Sequence, residues 1–271
     1  MLRAYGVTEK GRVRSTNEDC FAIHEQLGLC VIADGLGGHN AGEVAARLAV
    51  DAVVEFVARR CAARVTGSPR LLDERLGPWP FGYDPSLSAG GNLLRTAIHV
   101  ANVQILELAI ATDGYAGMGT TIVAARVADG RLSVAHVGDS RLYLIAKRQL
   151  RQVTIDDSWI MSMLAHEPDA DPVLLQQHPM SSALTNVVGT IARTDVHVAE
   201  ETLAGGERLL LTTDGVHGVM DEKRLTPLML DDEDPRDIAR NVIATALARG
   251  SRDDCTAIVA CYSVGDQAAK D

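Results

Sequence analysis

Apolar positions along the chain fall into two periodicities. Runs rich in β-branched side chains at 29–33, 120–127, 132–137, 141–145, 208–213 and 256–264 predict strands. Stretches 41–60, 92–110 and 235–249 carry apolar residues at three-to-four spacing and predict helices. Asp129-Gly130 separates two of the strand runs and is a strong hairpin signal; Arg141 follows closely enough to extend the meander through 141–145. Several runs, Leu29-Cys-Val-Ile-Ala33 among them, are apolar at both alternating positions, so each sheet should be covered on both faces. An α+β fold follows: a four-layer α-β-β-α sandwich of two antiparallel sheets flanked by helices.

Two stretches break the pattern. Residues 66–91 are rich in Pro, Gly and Ser, and 156–189 holds short helical pieces interrupted by Pro168, Pro172 and Pro179. Loops of this length in a compact domain usually serve function. Trp79, Phe81 and Tyr83 in the first are expected to anchor it on the core rather than form a docking patch. No internal repeat interrupts a single domain over 1–264, and 265–271 reads as a short tail.

Composition narrows the function. At 271 residues and 46% hydrophobic, the chain can bury a large core. Its 26 Lys+Arg against 36 Asp+Glu give a net charge of −10, which argues against nucleic acid or an anionic membrane as partner. No apolar run approaches the roughly 18 to 20 residues of a membrane span, and 1–5 leads into a strand-like segment rather than a signal-peptide core, so a cytoplasmic protein is expected. Cys20, Cys30, Cys61, Cys255 and Cys261 show no paired spacing, which predicts reduced thiols packed as small apolar groups.

The chemistry lies in the aspartates at the ends of the apolar runs: Asp34, Asp139 and Asp214 after strands, and Asp253 before one. In a sandwich of alternating strands these acids can converge at one end of the sheets. Carboxylates crowded together raise one another's pKa or demand a cation. Oxygen ligands without thiolates suit Mg²⁺ or Mn²⁺. Two such ions about 3.5 to 4 Å apart can share a hydroxide as nucleophile and polarise a phosphoryl oxygen. Asp-Gly is also an ordinary turn, as at Asp129-Gly130, so Asp34-Gly35 and Asp214-Gly215 read equally as turns and helix caps. The run Gly35-Leu-Gly-Gly-His-Asn40 lacks the last glycine of a dinucleotide fingerprint and no parallel crossover follows it.

Taken in order, Arg14-Ser-Thr-Asn-Glu-Asp19, Asp34-Gly-Leu-Gly-Gly-His39, Gly42-Glu43, Gly117-Met-Gly-Thr-Thr121, Val137-Gly-Asp-Ser-Arg141, Thr213-Asp-Gly215 and Asp253-Asp-Cys-Thr256 resemble the bacterial type 2C metal-dependent serine/threonine phosphatases, over about residues 3–264. The resemblance implies a sandwich of two antiparallel sheets flanked by helices, with hydrolysis of phosphoserine and phosphothreonine at a dinuclear Mn²⁺ or Mg²⁺ site. It implies Asp34 as the bridging carboxylate, a Gly35 carbonyl ligand, and Asp214 and Asp253 completing the shell. In the last motif alignment on Thr256 favours Asp253, with Asp254 as the alternative. Glu18 and Asp19 would hold metal-coordinated waters, Arg14 the phosphate, and Asp139 a third, weaker ion. A guanidinium suits the phosphate role because its planar fork meets two oxygens. Some members carry a histidine where Leu36 stands; His39 in the same loop is then a candidate general acid. His99, His136 and His217 show no ligand spacing and are expected to be structural. Segment 156–189 occupies the place of the family's flap, while 66–91 exceeds the usual connection.

The implied partners are phosphorylated Ser/Thr proteins, including a cognate kinase or its substrates, met by a monomer. Two other functions compete: a catalytically silent phosphoprotein-binding module of the same fold, and a phosphatase of small metabolites. Silent relatives usually lose metal acids, and Asp34, Asp214 and Asp253 all remain.

Overall fold

The computed structural model describes residues 1–37, 41–66 and 79–264. Its strands are β1 (Leu2–Glu9), β2 (Asp19–His24), β3 (Leu29–Leu36), β4 (Gly119–Thr120), β5 (Ile122–Ala128), β6 (Arg131–Val137), β7 (Arg141–Ala146), β8 (Gln149–Gln152), β9 (His197–Thr202), β10 (Arg208–Thr212) and β11 (Cys255–Tyr262). Its helices are α1 (Ala41–Thr66), α2 (Ala89–Ala111), α3 (Trp159–His166), α4 (Pro172–Gln176), α5 (Asp214–His217), α6 (Glu222–Leu230) and α7 (Pro235–Ala248). One sheet runs β1-β11-β10-β7-β8; the other runs β2-β3-β5-β6-β9, with β4 paired to β3. All pairings are antiparallel.

Side-chain alternation explains the layers. Cys30 and Ile32 of β3 meet Val123 and Ala125 of β5, Leu142 and Leu144 of β7, Leu209 and Leu211 of β10 and Ile258 of β11 between the sheets. The intervening residues face outward: Val31 and Ala33 pack under α1 and α2, while Leu210 and Val259 pack under α6 and α7. This double coverage is why the interior strands carry apolar residues at both alternating positions. The expected four-layer sandwich is the observed one.

The hairpin at Asp129-Gly130 joins β5 to β6, with φ of 52° and 72° at its two central residues. Both lie in the left-handed region that a primed turn requires, which Asp-Gly tolerates. The meander does not continue as expected. β7 pairs with β10 and β8 in the other sheet, so the chain crosses between sheets at Gly138-Asp139-Ser140. Gly138 takes φ 93° there, and a Cβ on it would lie 2.7 Å from the Thr121 side chain.

α2 corrects a second expectation: by length and composition alone it suffices to cross a bilayer. Its buried residues, Leu94, Ala97, Ile98, Ala101 and Ile105 among them, join the core against α1 and the β2-β3-β5-β6-β9 sheet. Ser88 caps it, accepting from the amides of Gly90 and Gly91. The anchoring expected of the preceding loop is only partial: the Arg60 guanidinium lies 4.9 Å from the Trp79 ring and Phe81 lies tilted 5.0 Å from the buried His99, but Phe81 and Tyr83 are exposed and Tyr83 packs on Trp79 rather than on the core. Residues 67–78 of that long connection, and the tail 265–271, lie outside the described residues. Segment 156–189 contains α3 and α4, the short helices that its prolines delimit. The cysteines are all unpaired, Cys30 and Cys255 fully buried.

Candidate active site

At one end of the sandwich the apolar ladder between the sheets turns polar without changing its alternation. Asp34 follows Cys30 and Ile32 on the inward face of β3, Asp19 precedes Phe21 and Ile23 on β2, and the two acids are direct cross-strand partners. Thr256 occupies the equivalent inward place on β11, Thr213 follows Leu211 of β10, and Ser140 precedes Leu142 of β7. One Asp19 oxygen accepts from Thr213 Oγ1 at 2.9 Å and Thr256 Oγ1 at 2.6 Å, so this carboxylate ties the two sheets together. Its other oxygen is buried and has no partner.

β3 runs on through Asp34 to Leu36 rather than ending before the acid. The Asp34 backbone is fixed on both sides: its N–H donates to Thr121 Oγ1 at 3.1 Å, and its carbonyl accepts from the Thr121 amide at 2.9 Å and Thr120 Oγ1 at 2.8 Å. Gly35 sits so close to the start of α1 that a Cβ would lie 2.0 Å from the Gly42 carbonyl oxygen. Any side chain there would push α1 off the site. Glu18 lies alongside, its carbonyl accepting from the Gly35 amide at 3.1 Å.

Asp214 is the first residue of α5; Thr213 stands at the N-cap position, but its hydroxyl donates to Asp19 instead of capping the helix. One Asp214 carboxylate oxygen is buried without a partner. Asp253 stands across from it at the mouth, about a third exposed, and accepts from Arg14 at 2.6 Å. Arg14 also lies 3.8 Å from Glu18. Asp254 is quite different from its neighbour. Buried to 3% exposure, it accepts from the Gly11 amide at 2.7 Å and the Glu18 amide at 2.9 Å, so both its oxygens are occupied by backbone.

The electrostatics are those of an acidic pocket that Arg14 compensates only in part. Burial holds Asp34 well above the usual carboxylate range, and Asp19, Asp214, Asp139 and Asp253 reinforce it. Asp214 is raised by burial and by Asp253. Asp139, on the crossover, is pushed up to about 7 by burial and by Asp214 and Asp156. Burial likewise raises Glu18 and Asp19. Among the described residues no three His, Cys, Asp or Glu side chains form a ready cage around one point. The orphaned oxygens of Asp19 and Asp214 and the mutually raised carboxyls fit divalent cations at this mouth.

A family model described as protein phosphatase 2C matches residues 9–234. The chain belongs to the protein phosphatase 2C family. This family member is 28% identical over 255 residues to the serine/threonine phosphatase stp of Listeria welshimeri, covering 93% of this chain and 92% of that protein. The crystal structure of serine/threonine phosphatase Stp1 from Staphylococcus aureus superposes with a TM-score of 0.78 at 29% identity, covering 97% and 96% of the two chains. The catalytic domain of the phosphatase PstP, solved in complex with two manganese ions, gives 0.76 at 26% identity and covers 97% of this chain and 99% of that one.

The fold thus brings Arg14, Glu18, Asp19, Asp34, Asp214 and Asp253 to one mouth, with Asp139 on the crossover beside it. His39 lies outside the described residues. Two of the other histidines are tied to neighbours outside the acidic cluster: the partly buried His217 Nδ1 lies 3.0 Å from Thr212 Oγ1, and the buried His136 Nε2 lies 2.9 Å from the Ile155 carbonyl. Sequence reasoning missed the Asp254 clamp, the inward threonines, and Asp156, which engages Arg141 through both oxygens at 2.6–3.1 Å. The threonine signal was present in alternation: Thr213 and Thr256 share the inward parity of Leu211 and Ile258.

Proposed function

We propose that the chain is a single-domain protein serine/threonine phosphatase acting through Mn²⁺ or Mg²⁺. The observation that carries this is the clustering of Asp34 with Asp214 and Asp253, the latter two lining an open groove together with Arg14. Asp34, the Gly35 carbonyl, Asp214 and Asp253 would hold two divalent ions, with Glu18 and Asp19 accepting from their waters. Bound there, the ions would acidify a water and neutralise charge on the phosphoryl group. Arg14 would orient the phosphate, since its 43% exposed side chain reaches the mouth and needs only to exchange Asp253 for phosphate oxygens. Asp139 would hold a third ion.

The substrates are phosphorylated serine and threonine side chains of proteins, including those of a cognate kinase, met by a cytoplasmic monomer. The mouth opens onto a broad groove rather than a closed cavity, which favours a protein segment over a small metabolite. The retained acids favour turnover over silent binding. The test is phosphate release from phosphoserine peptides and from sugar phosphates, with Mn²⁺ and with excess chelator. Metal-dependent release from the peptides is expected; turnover in chelator after metal removal, or of sugar phosphates alone, overturns the reading.

A further inference from the structure

The groove at the mouth extends past the acids into a surface that the phosphate chemistry does not use. It encloses about 430 Å³, open to solvent, and Asp214, Asp253 and Arg14 share it with Val13, Val219 and Arg252. Val13 is 62% exposed, and Arg252 is exposed as well.

The backbone beneath Arg252 is rigid. The buried Ser251 Oγ donates to the Gly215 carbonyl at 2.6 Å, and the Cys255 thiol lies 3.2 Å from Ser251 Oγ. On the other side Gly11 presses against the chain so closely that a Cβ there would lie 2.6 Å from the Arg252 carbonyl oxygen. Arg249 Nε, donating to the Val219 carbonyl at 2.8 Å, fixes the far rim. A cation on such a platform is presented at a defined place, with only its own side chain to order on binding.

The charges are asymmetric. Arg14 is engaged by Asp253 and Glu18, whereas Arg252, among the described residues, makes no ion pair or side-chain hydrogen bond. Asp214 and Asp253 of the groove would be taken up by the ions proposed above and Arg14 by the phosphate, which leaves Arg252 as the cation of the lining free to meet an acidic side chain of the bound segment.

We propose that Arg252 reads an acidic side chain close to the phosphorylated residue, with Val13 and Val219 flanking the bound segment. Arg252 is then a specificity-determining residue, and the favoured substrate is a phosphopeptide with Asp or Glu near its phosphoserine. This rests on the phosphatase reading above. An exposed pair of this kind supports a preference of about two- to fivefold.

The test compares kcat/KM for phosphoserine peptides that differ only in carrying Glu, Ala or Lys at the positions flanking the phosphoserine. The measurements use wild type, Arg252→Ala and Arg252→Glu with Mn²⁺. Because each ratio is taken within one protein, any general loss of activity cancels. Wild type should favour Glu over Ala about two- to fivefold, Arg252→Ala should bring the ratio to about one, and Arg252→Glu should favour Lys. A wild-type ratio of one, or a Glu preference that survives Arg252→Ala, overturns the proposal while leaving the phosphatase reading intact. Absence of metal-dependent release from every peptide and from an aryl phosphate overturns both.

Discussion

Asp253 and Asp254 are adjacent acids with opposite structural situations, and exchanging each for alanine should separate them. Asp254→Ala removes the acceptor of two backbone amides, Gly11 at 2.7 Å and Glu18 at 2.9 Å, from a site 3% exposed. Each orphaned donor costs about 1–3 kcal/mol, and the Glu18 amide is near enough to solvent to recover part of that, so a loss of about 2–5 kcal/mol is expected. For a domain of this size that lowers Tm by roughly 5–15 °C. Asp254→Asn keeps one acceptor and should lose about half as much. Asp253→Ala gives up an Arg14 pair whose members are 43% and 35% exposed, worth at most about 1 kcal/mol, and the part-buried bond from the Asp254 amide, losses offset by relieved repulsion on Asp214. Its Tm should stay within about 3 °C of wild type while Mn²⁺ binding is lost. The assay is thermal unfolding of metal-stripped proteins alongside Mn²⁺ titration. Unchanged melting and lost Mn²⁺ binding in Asp254→Ala would show that the ligand is Asp254 and refute the clamp.

Other consequences follow from the same geometry. Arg14→Ala should lower kcat/KM for phosphopeptides on the order of 100-fold by removing two charge-assisted bonds to phosphate, with Mn²⁺ affinity equal or tighter because Asp253 loses its competing partner; a change under threefold would return Arg14 to the status of a surface charge. Asp139→Asn should retain two tight ions by calorimetry yet lose most turnover, recovering partly at high metal; full activity at low metal would make Asp139 a turn residue only. Stability should also depend on pH when metal is absent. Asp139 titrates at about 7 in the fold against 3.8 as a free side chain, so its stabilising, protonated form is complete below about pH 4 and is lost as pH rises through about 7. That is worth up to about 4 kcal/mol. Tm in chelator should therefore fall between pH 5 and pH 8, and Mn²⁺ should suppress the fall; a Tm that rises over this range in chelator would contradict the acidic pocket.

Much of this site could be read before the fold was seen, for definite physical reasons. β3, β5, β10 and β11 are interior strands covered on both faces, so their sequences hold apolar residues on both alternating faces through most of their length and stand out. Asp34 and Asp214 were conspicuous because each breaks such a run. β2, β8 and β9 were not legible, since they lie at sheet edges, half-buried and mixed in polarity. The sheet change after β6 was hidden too. Gly138-Asp139-Ser140 is as short as a hairpin turn, and what sends Arg141 to the other sheet is its long-range bond to Asp156 and the pairing of β7 with β10. Asp254 was ambiguous because two adjacent acids precede β11, and only the distant Gly11 and Glu18 amides distinguish them.

The central claim is that Asp34, Asp214 and Asp253 together hold two divalent ions. It is tested most directly by calorimetric titration of Mn²⁺ into metal-stripped protein, wild type beside Asp34→Ala, with folding of both verified by circular dichroism. Two tight ions per chain in wild type, and loss of tight binding in the folded Asp34→Ala protein, are the expected result. No tight binding in wild type, or an unchanged isotherm in Asp34→Ala, would contradict the account.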